Sequence, residues 1–207
     1  MTGPRDDHPQ GTPGVLGLIL AAGHSRRFGG DKRLADFSGQ TLLAATTLAL
    51  QPHVASVTVI LRHGERPEAL GLPADTDVVQ APSTPIGIGV SLAAAVSELL
   101  ASTEPRHQQG EALALMLGDM PRVRADTLHK LVAQARHDLI VRPCHQGIPG
   151  HPVVFGRRFW PALADLDGDE GARKLLKRHQ QQVVMLAVDD PGILNDVDTP
   201  ADLPSPQ

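Results

Sequence analysis

The sequence predicts an α/β fold in which a mostly parallel sheet is covered by helices on both faces. Two segments, Val15–Leu20 and Ala112–Leu117, carry no polar side chain, which is typical of strands that are buried on both faces. Predicted strands and helices also alternate along the whole chain. At 207 residues the chain is long enough for one domain with a full core. We expect this domain over 14–203, after a disordered tail at 1–13 that is polar and rich in Gly and Pro.

The first half of the chain predicts three strands and two helices, each bounded by a turn or a proline. A run rich in β-branched residues favours the second strand, and apolar residues at near-helical spacing, ended by Pro52, favour the first helix. The strands are Val15–Leu20, Val54–Leu61 and Asp77–Gln80, and the helices are about Thr41–Leu50 and one that follows Gly87, Gly89 and Ser91 and ends at Leu100.

The second half continues the alternation with shorter elements. The strands expected there are Ala112–Leu117, Asp138–Arg142, Val153–Phe155 and Gln182–Val188, and the helices are Arg124–His137, Arg157–Leu166 and one that begins near Glu170. Thr199 is expected to cap a short last helix that has Pro200 at its first position.

Composition excludes several classes of partner and site. The net charge is −4, and the chain has no Tyr, one Trp and four Phe, so neither electrostatic attraction nor stacking favours nucleic acid. The single cysteine, Cys144, excludes an internal disulfide and a multi-cysteine metal site. No apolar run approaches membrane-spanning length and no signal peptide is evident, so we expect a cytoplasmic protein without a membrane partner.

The loop after the first strand is the first candidate site. Small residues at Ala21, Ala22 and Gly23 precede a cationic segment that contains Arg27 and Lys32. Small residues let backbone N–H groups approach phosphate oxygens, and fixed cations neutralise the charge. An ordinary strand-to-helix turn with solvated arginines explains the same residues.

Three further features are candidates for ligand or metal contacts. Gly87, Gly89 and Ser91 open the second predicted helix, where they either admit a base or ribose or form a plain helix entry with Ser91 as its cap. Asp119 follows the central strand, which is where an open α/β sheet places ligand groups. A carboxylate pair near the C-terminus, Asp196 and Asp198, offers the hard oxygen ligands that Mg²⁺ prefers.

These segments together resemble a known family. The stretch VLGLILAAGHSRRFGGDK resembles the LAAGxSxRxGxxK motif of nucleotidyltransferases, and GHPVVF with GDEGAR makes the chain similar to the molybdenum cofactor cytidylyltransferase family. The resemblance extends from about Val15 to Leu203. Three departures are Phe28 in place of the usual Met, the PCHQG run, and Gly30–Lys32, which resembles the guanylyltransferase form of the loop.

The resemblance implies a three-layer α/β/α Rossmann-like nucleotidyltransferase that transfers CMP from CTP, or the nucleotide of another NTP, to the phosphate of molybdopterin. It assigns Arg27, Lys32 and Asp119 to catalysis and places Mg²⁺ on Asp119 with Asp196 or Asp198. It assigns substrate contacts to His151, Gly168 and Asp169. The implied nucleotide-binding residues are Leu20, Ala21, Ala22, Gly23, Ser25, Arg27, Lys32, Gly87, Gly89, Ser91 and Gly118. A molybdoenzyme that receives the product is a further implied partner.

Other functions remain open at this point. The chain can instead be a guanylyltransferase that acts on the same cofactor, or a nucleotidyltransferase for a sugar or polyol phosphate. A non-catalytic molybdopterin-binding chaperone is less well supported, because it would not need Arg27, Lys32 and Asp119 together. Single residues also have structural alternatives: His151 can order its loop, and Asp169 can cap a helix.

Overall fold

The computed structural model describes residues 14–23, 28–85 and 87–204. In this part of the chain the strands are β1 Val15–Leu20, β2 Asp36–Phe37, β3 Gln40–Thr41, β4 Val57–Leu61, β5 Asp77–Gln80, β6 Ala112–Leu117, β7 Ile140–His145, β8 Ile148–Pro149, β9 Val153–Gly156 and β10 Val183–Ala187. The α-helices are α1 Leu42–Leu50, α2 Ile88–Ala101, α3 Pro105–Gln108, α4 Ala125–Ala133, α5 Trp160–Ala164 and α6 Arg173–Arg178. Short 3₁₀ helices lie at Lys32–Leu34, Gln51–His53, Pro67–Leu70, Arg157–Phe159, Gln180–Gln182, Pro191–Leu194 and Pro200–Asp202.

The described residues form one large sheet in the order β10-β7-β9-β6-β1-β4-β5, with β8 paired to β7. β1 is parallel to β4 and β6, and β4 to β5. β7 is parallel to β10, while β9 runs antiparallel between β6 and β7. The mostly parallel α/β sheet predicted from the sequence is therefore confirmed.

The strand register places several loops at one edge of the sheet. Leu20 is opposite Leu117 at the carboxyl ends of β1 and β6, so the loops that follow these strands are neighbours. Because β9 is antiparallel to β6 and begins with Val153 opposite Leu115, its first residues also lie toward this edge. The segment that contains His151 therefore reaches the same edge as Asp119.

Two apolar layers pack on opposite faces of the sheet. Neighbouring residues of β1 point into different layers. Ile19 packs in the layer that contains Leu43 of α1, and Leu18 packs in the layer that contains Leu92 of α2 and Trp160 of α5. This arrangement explains why β1 and β6 carry no polar side chain, since both of their faces are buried. It confirms the three-layer α/β/α architecture.

Some predicted boundaries are wrong, and each error has a local cause. The predicted helix Arg124–His137 ends at Ala133, because the carbonyls of Arg136 and His137 pack against Gly156 at the end of β9. The helix expected at Arg157–Leu166 is divided into a 3₁₀ turn and the short α5. In the described ranges, no helix combines the length and apolarity needed to cross a bilayer.

Candidate functional site

A lysine and two aspartates meet at the carboxyl edge of the sheet. Lys32 Nζ lies 2.5 Å from Oδ2 of Asp119, two residues after β6, and 3.4 Å from Oδ1 of Asp198. The same ammonium donates to the Val197 carbonyl at 2.9 Å, and the Val197 N–H donates to the Asp119 carbonyl at 3.0 Å. The structure therefore brings together residues that are more than 160 positions apart in the sequence.

Negative charge exceeds positive charge among the described residues at this centre. Burial raises the pKa of Asp119 despite the neighbouring Lys32, and the nearby carboxylate of Asp196 acts in the same direction. Burial alone would lower the pKa of Lys32, but Asp119 and Asp198 raise it above its ordinary value. The Lys32 ammonium thus contacts two carboxylates, while the charge of Asp196 acts on one of them, and a further cation would relieve the repulsion among the carboxylates.

The donor atoms at this centre fit a hard divalent cation. Among the described residues, Oδ1 of Asp119 is buried and has no hydrogen-bond partner, and a buried carboxylate oxygen in this state is costly. The same residues contain no cluster of three or more His, Cys, Asp or Glu side chains. The unpartnered Asp119 oxygen fits a divalent cation that binds through one or two carboxylates and completes its shell with phosphates and water.

The segment that carries the C-terminal carboxylates is held by Asp202. Its Oδ2 accepts hydrogen bonds from the Asp198 N–H at 3.1 Å, the Thr199 N–H at 2.7 Å and the Thr199 hydroxyl at 2.9 Å. These bonds start the 3₁₀ helix at Pro200–Asp202, in agreement with the predicted short last helix. Asp196 is exposed, and its charge acts on both Asp119 and His151.

The loop after β1 borders a cavity of about 200 Å³ beside Asp119. Leu20, Ala21, Gly23 and Gly118 line it with Lys32. No described atom lies within 4 Å of the position that a Cβ on Gly23 would occupy, so ligand atoms could approach the backbone there. Two predicted site residues of this loop, Ser25 and Arg27, lie outside the described residues.

An ion network that the sequence did not predict orders this loop. The guanidinium of Arg33, 4% exposed, forms paired hydrogen bonds with the carboxylates of Asp31 and Glu65 and donates to the Ala21 carbonyl at 2.7 Å. Arg62 contacts the same two carboxylates and donates to the Gly23 carbonyl at 2.6 Å. The two arginines therefore fix two carbonyls of the predicted phosphate loop.

The glycines at the start of α2 have a packing partner in the structure. A Cβ on Gly89 would lie 2.3 Å from the Asp167 carbonyl oxygen, and one on Gly87 would lie 2.4 Å from that of Gly168. The Gly89 N–H also donates to the Gly168 carbonyl at 2.9 Å. These glycines therefore allow the 167–168 backbone to pack against α2, and their contact with a nucleotide stays a prediction.

Ser91 is not the cap that the sequence suggested. Helix α2 begins at Ile88 with Gly87 at its N-cap, so Ser91 lies within the first turn, where its N–H donates to the Gly87 carbonyl at 3.0 Å. Its side chain instead borders a cavity of about 290 Å³ that also contacts Ala22 and Arg62.

A larger cavity, about 430 Å³, adjoins the first and shares Leu20, Ile88 and Leu117 with it. His151 and Asp169, which the resemblance assigns to the acceptor, both line this cavity, and their contact with an acceptor stays a prediction. Burial, together with the charge of Arg142, lowers the pKa of His151 and favours its neutral form. Gly168 instead packs beside α2 through its carbonyl.

Comparison with known proteins gives a family and several relatives. Residues 17–183 match the model of the MobA-like NTP transferase domain. The chain is 30% identical over 201 residues to the purine catabolism protein PucB of Bacillus subtilis (strain 168), covering 91% of this chain and 94% of PucB. It is 25% identical over 187 residues to the molybdenum cofactor cytidylyltransferase of Escherichia coli (strain K12), covering 89% and 91%. It is 30% identical over 152 residues to the molybdenum cofactor guanylyltransferase of Rhodobacter capsulatus, covering 72% and 66%.

A solved structure agrees with these matches. The crystal structure of Rv0371c from Mycobacterium tuberculosis H37Rv superposes with a TM-score of 0.75 at 33% identity, covering 91% of this chain and 94% of Rv0371c. A complex of Rv0371c with manganese gives 0.69 at 29% identity, with 91% and 95% covered. With the parallel sheet and the acidic centre at its carboxyl edge, these matches show that the chain belongs to the MobA-like NTP transferase family and is a nucleotidyltransferase.

Proposed function

We propose that the chain transfers CMP from CTP to the phosphate of molybdopterin and releases pyrophosphate. One observation carries the choice of acceptor. The two segments that resemble the cytidylyltransferase branch, GHPVVF and GDEGAR, contribute His151, Phe155 and Asp169 to one cavity. Because this cavity adjoins the one at Asp119, an acceptor and a triphosphate would lie side by side.

The triphosphate is assigned to the smaller cavity beside the loop after β1. Gly23 leaves its backbone open to ligand atoms, and Lys32 supplies a half-buried positive charge at the same place. We assign Arg27 to the triphosphate from the motif alone. The base and ribose would extend toward Ala22 and Ser91, which border the neighbouring cavity.

The metal is assigned to Asp119 together with Asp196 or Asp198. The unpartnered Oδ1 of Asp119 supports this assignment, as does the manganese complex of the related Rv0371c. When bound, Mg²⁺ would stabilise the negative charge that develops on the reacting phosphate. Asp202 contributes by holding the Asp198 backbone in place.

The proposed reaction needs no covalent intermediate on the protein. The acceptor phosphate would attack the α-phosphorus in line, so the protein acts by positioning the two substrates and by compensating charge. Burial and the charge of Arg142 lower the pKa of His151 and favour its neutral form, and Phe155 adds an apolar surface to the acceptor cavity. A molybdoenzyme would then receive the dinucleotide product.

A guanylyltransferase is the second candidate. The Gly30–Lys32 segment and the Rhodobacter capsulatus relative favour it. Against it, the carboxylate of Asp31 is engaged by Arg33 and Arg62, which gives this residue a structural role in the loop. The loop's departure toward the guanylyltransferase form is thereby explained without a contact to the base.

Nucleotide preference is tested by thermal unfolding with CTP, GTP, ATP and UTP in turn, each with Mg²⁺. A ligand present at 100 times its dissociation constant stabilises the folded state by about 2.7 kcal/mol. We expect the largest rise in Tm with CTP and a smaller rise for each triphosphate when Mg²⁺ is chelated. Selective stabilisation by GTP would overturn the assignment of CTP and favour the guanylyltransferase.

A further inference from the structure

Two arginines line the larger cavity from different elements. Arg142 lies on β7, where a charged side chain interrupts an apolar strand, and Arg173 is the first residue of α6. Arg142 is half-buried, while Arg173 is exposed at the mouth.

Neither arginine has a carboxylate partner in the described part of the chain. Arg142 donates only to backbone carbonyls, from Nε to Gly150 at 3.3 Å and from Nη2 to Pro149 at 3.4 Å. No described ion pair involves Arg173, and the neighbouring Glu170 lies 3.7 Å from Lys174 instead. Without a carboxylate partner, the half-buried Arg142 and the exposed Arg173 both have unused capacity to bind an anion.

The two cations also act on each other. Burial lowers the pKa of Arg142, and the positive charge of Arg173 lowers it further. Like charges that face one cavity are destabilising until an anion binds between them. A planar guanidinium fork matches the oxygens of a phosphate group.

We propose that Arg142 and Arg173 form the binding subsite for the phosphomonoester of the acceptor substrate. This inference rests on the proposed function, and it adds the residues that select a phosphorylated acceptor. The subsite lies beside His151, whose Nδ1 is buried without a hydrogen-bond partner among the described residues. Apolar residues that also line this cavity, including Leu92 and Phe155, would contact the uncharged body of the acceptor.

Inorganic phosphate is the direct probe of this subsite. It is titrated calorimetrically into the full chain in the presence of Mg²⁺ and a saturating α,β-methylene analogue of CTP, which occupies the triphosphate site. We expect Arg142→Gln and Arg173→Gln each to weaken phosphate binding roughly tenfold or more, the effect of losing a charge-assisted hydrogen bond. Arg178→Gln, an exposed change on the same helix, is the matched control and should bind phosphate as the parent protein does.

Turnover separates this inference from the proposed function. With molybdopterin as acceptor, the two variants should raise the KM for the acceptor and leave the KM for CTP unchanged. Phosphate binding that is absent in the parent protein, or equal in all three variants, would overturn the subsite. If the parent protein transfers no CMP to molybdopterin, the proposed function fails, while the phosphate titration still decides whether the arginines bind an anion.

Discussion

Replacing Arg33 with methionine removes the centre of the ion network and keeps a side chain of similar length. Arg33 contacts both Asp31 and Glu65 and is 4% exposed, whereas each carboxylate is 25% exposed. The substitution leaves two partly buried carboxylates near each other and frees the Ala21 carbonyl. The loop that we assign to the triphosphate should loosen as a result.

The magnitude follows from burial and from the partners that remain. Breaking a buried ion pair from one side costs about 3–5 kcal/mol. Arg62 still lies 3.0 Å from Asp31 Oδ2 and 3.3 Å from Glu65 Oε1, so the lower end, about 3 kcal/mol, is expected. For a chain of this length that loss corresponds to a fall in Tm of roughly 6–12 °C.

The pH dependence of stability gives a second measure of the same network. Hydrogen bonding to Arg33 lowers the pKa of Asp31 from 3.8 to about 2, which corresponds to about 2 kcal/mol of stability. Because the folded pKa is the lower one, this stability is present above pH 3.8 and is lost as the pH falls toward 2. Much of this acid-dependent loss should be absent in Arg33→Met.

The measurement is urea unfolding at pH 7 and across pH 5 to 2, with Arg66→Met as the control. Arg66 is exposed and adjacent to Glu65 in sequence, so its replacement should change stability by no more than about 0.5 kcal/mol. An Arg33→Met protein as stable as this control, with an unchanged acid profile, would refute the stabilising role of the network.

Two further substitutions test the site and the packing around it. Asp119→Asn should reduce pyrophosphate release at least about 100-fold, because it removes the charge that holds Lys32 and the proposed metal. The variant should keep the circular dichroism spectrum of the parent protein. Unchanged turnover would contradict the metal assignment. Gly89→Ala should destabilise the fold by about 2 kcal/mol in urea unfolding, because the added Cβ would lie 2.3 Å from the Asp167 carbonyl oxygen. Gly23→Ala, where no described atom lies within 4 Å, should leave stability nearly unchanged, and an equal loss in both variants would argue against this packing role.

The sequence predicted the fold well where a pattern reports burial directly. The apolar runs of β1 and β6 are strands buried on both faces, as expected, since only a sheet covered on both sides removes all polar side chains. A short strand was predicted at Val153–Phe155, but its antiparallel direction was not, because a short apolar run does not encode the direction in which it pairs with its neighbours. The helix expected to continue to His137 ended early for the same reason, since the contact with Gly156 is tertiary.

The candidate site was predictable only where a motif marks it. Lys32 and Asp119 were chosen from separate motifs, and the structure places them 2.5 Å apart. The partners of Arg33 were missed, because Glu65 lies 32 positions away and no local spacing links the two residues. Arg142 is a charged residue next to the apolar residues of a predicted strand, but the sequence alone does not show that it lines a cavity.

The function that we propose for this nucleotidyltransferase is the transfer of CMP from CTP to molybdopterin. Pyrophosphate release from CTP, GTP, ATP and UTP, each with Mg²⁺ and molybdenum-loaded molybdopterin, tests it most directly. We expect release from CTP that requires the acceptor and is lost in Asp119→Asn. Release that depends on GTP, or no acceptor-dependent release from CTP, would contradict the claim.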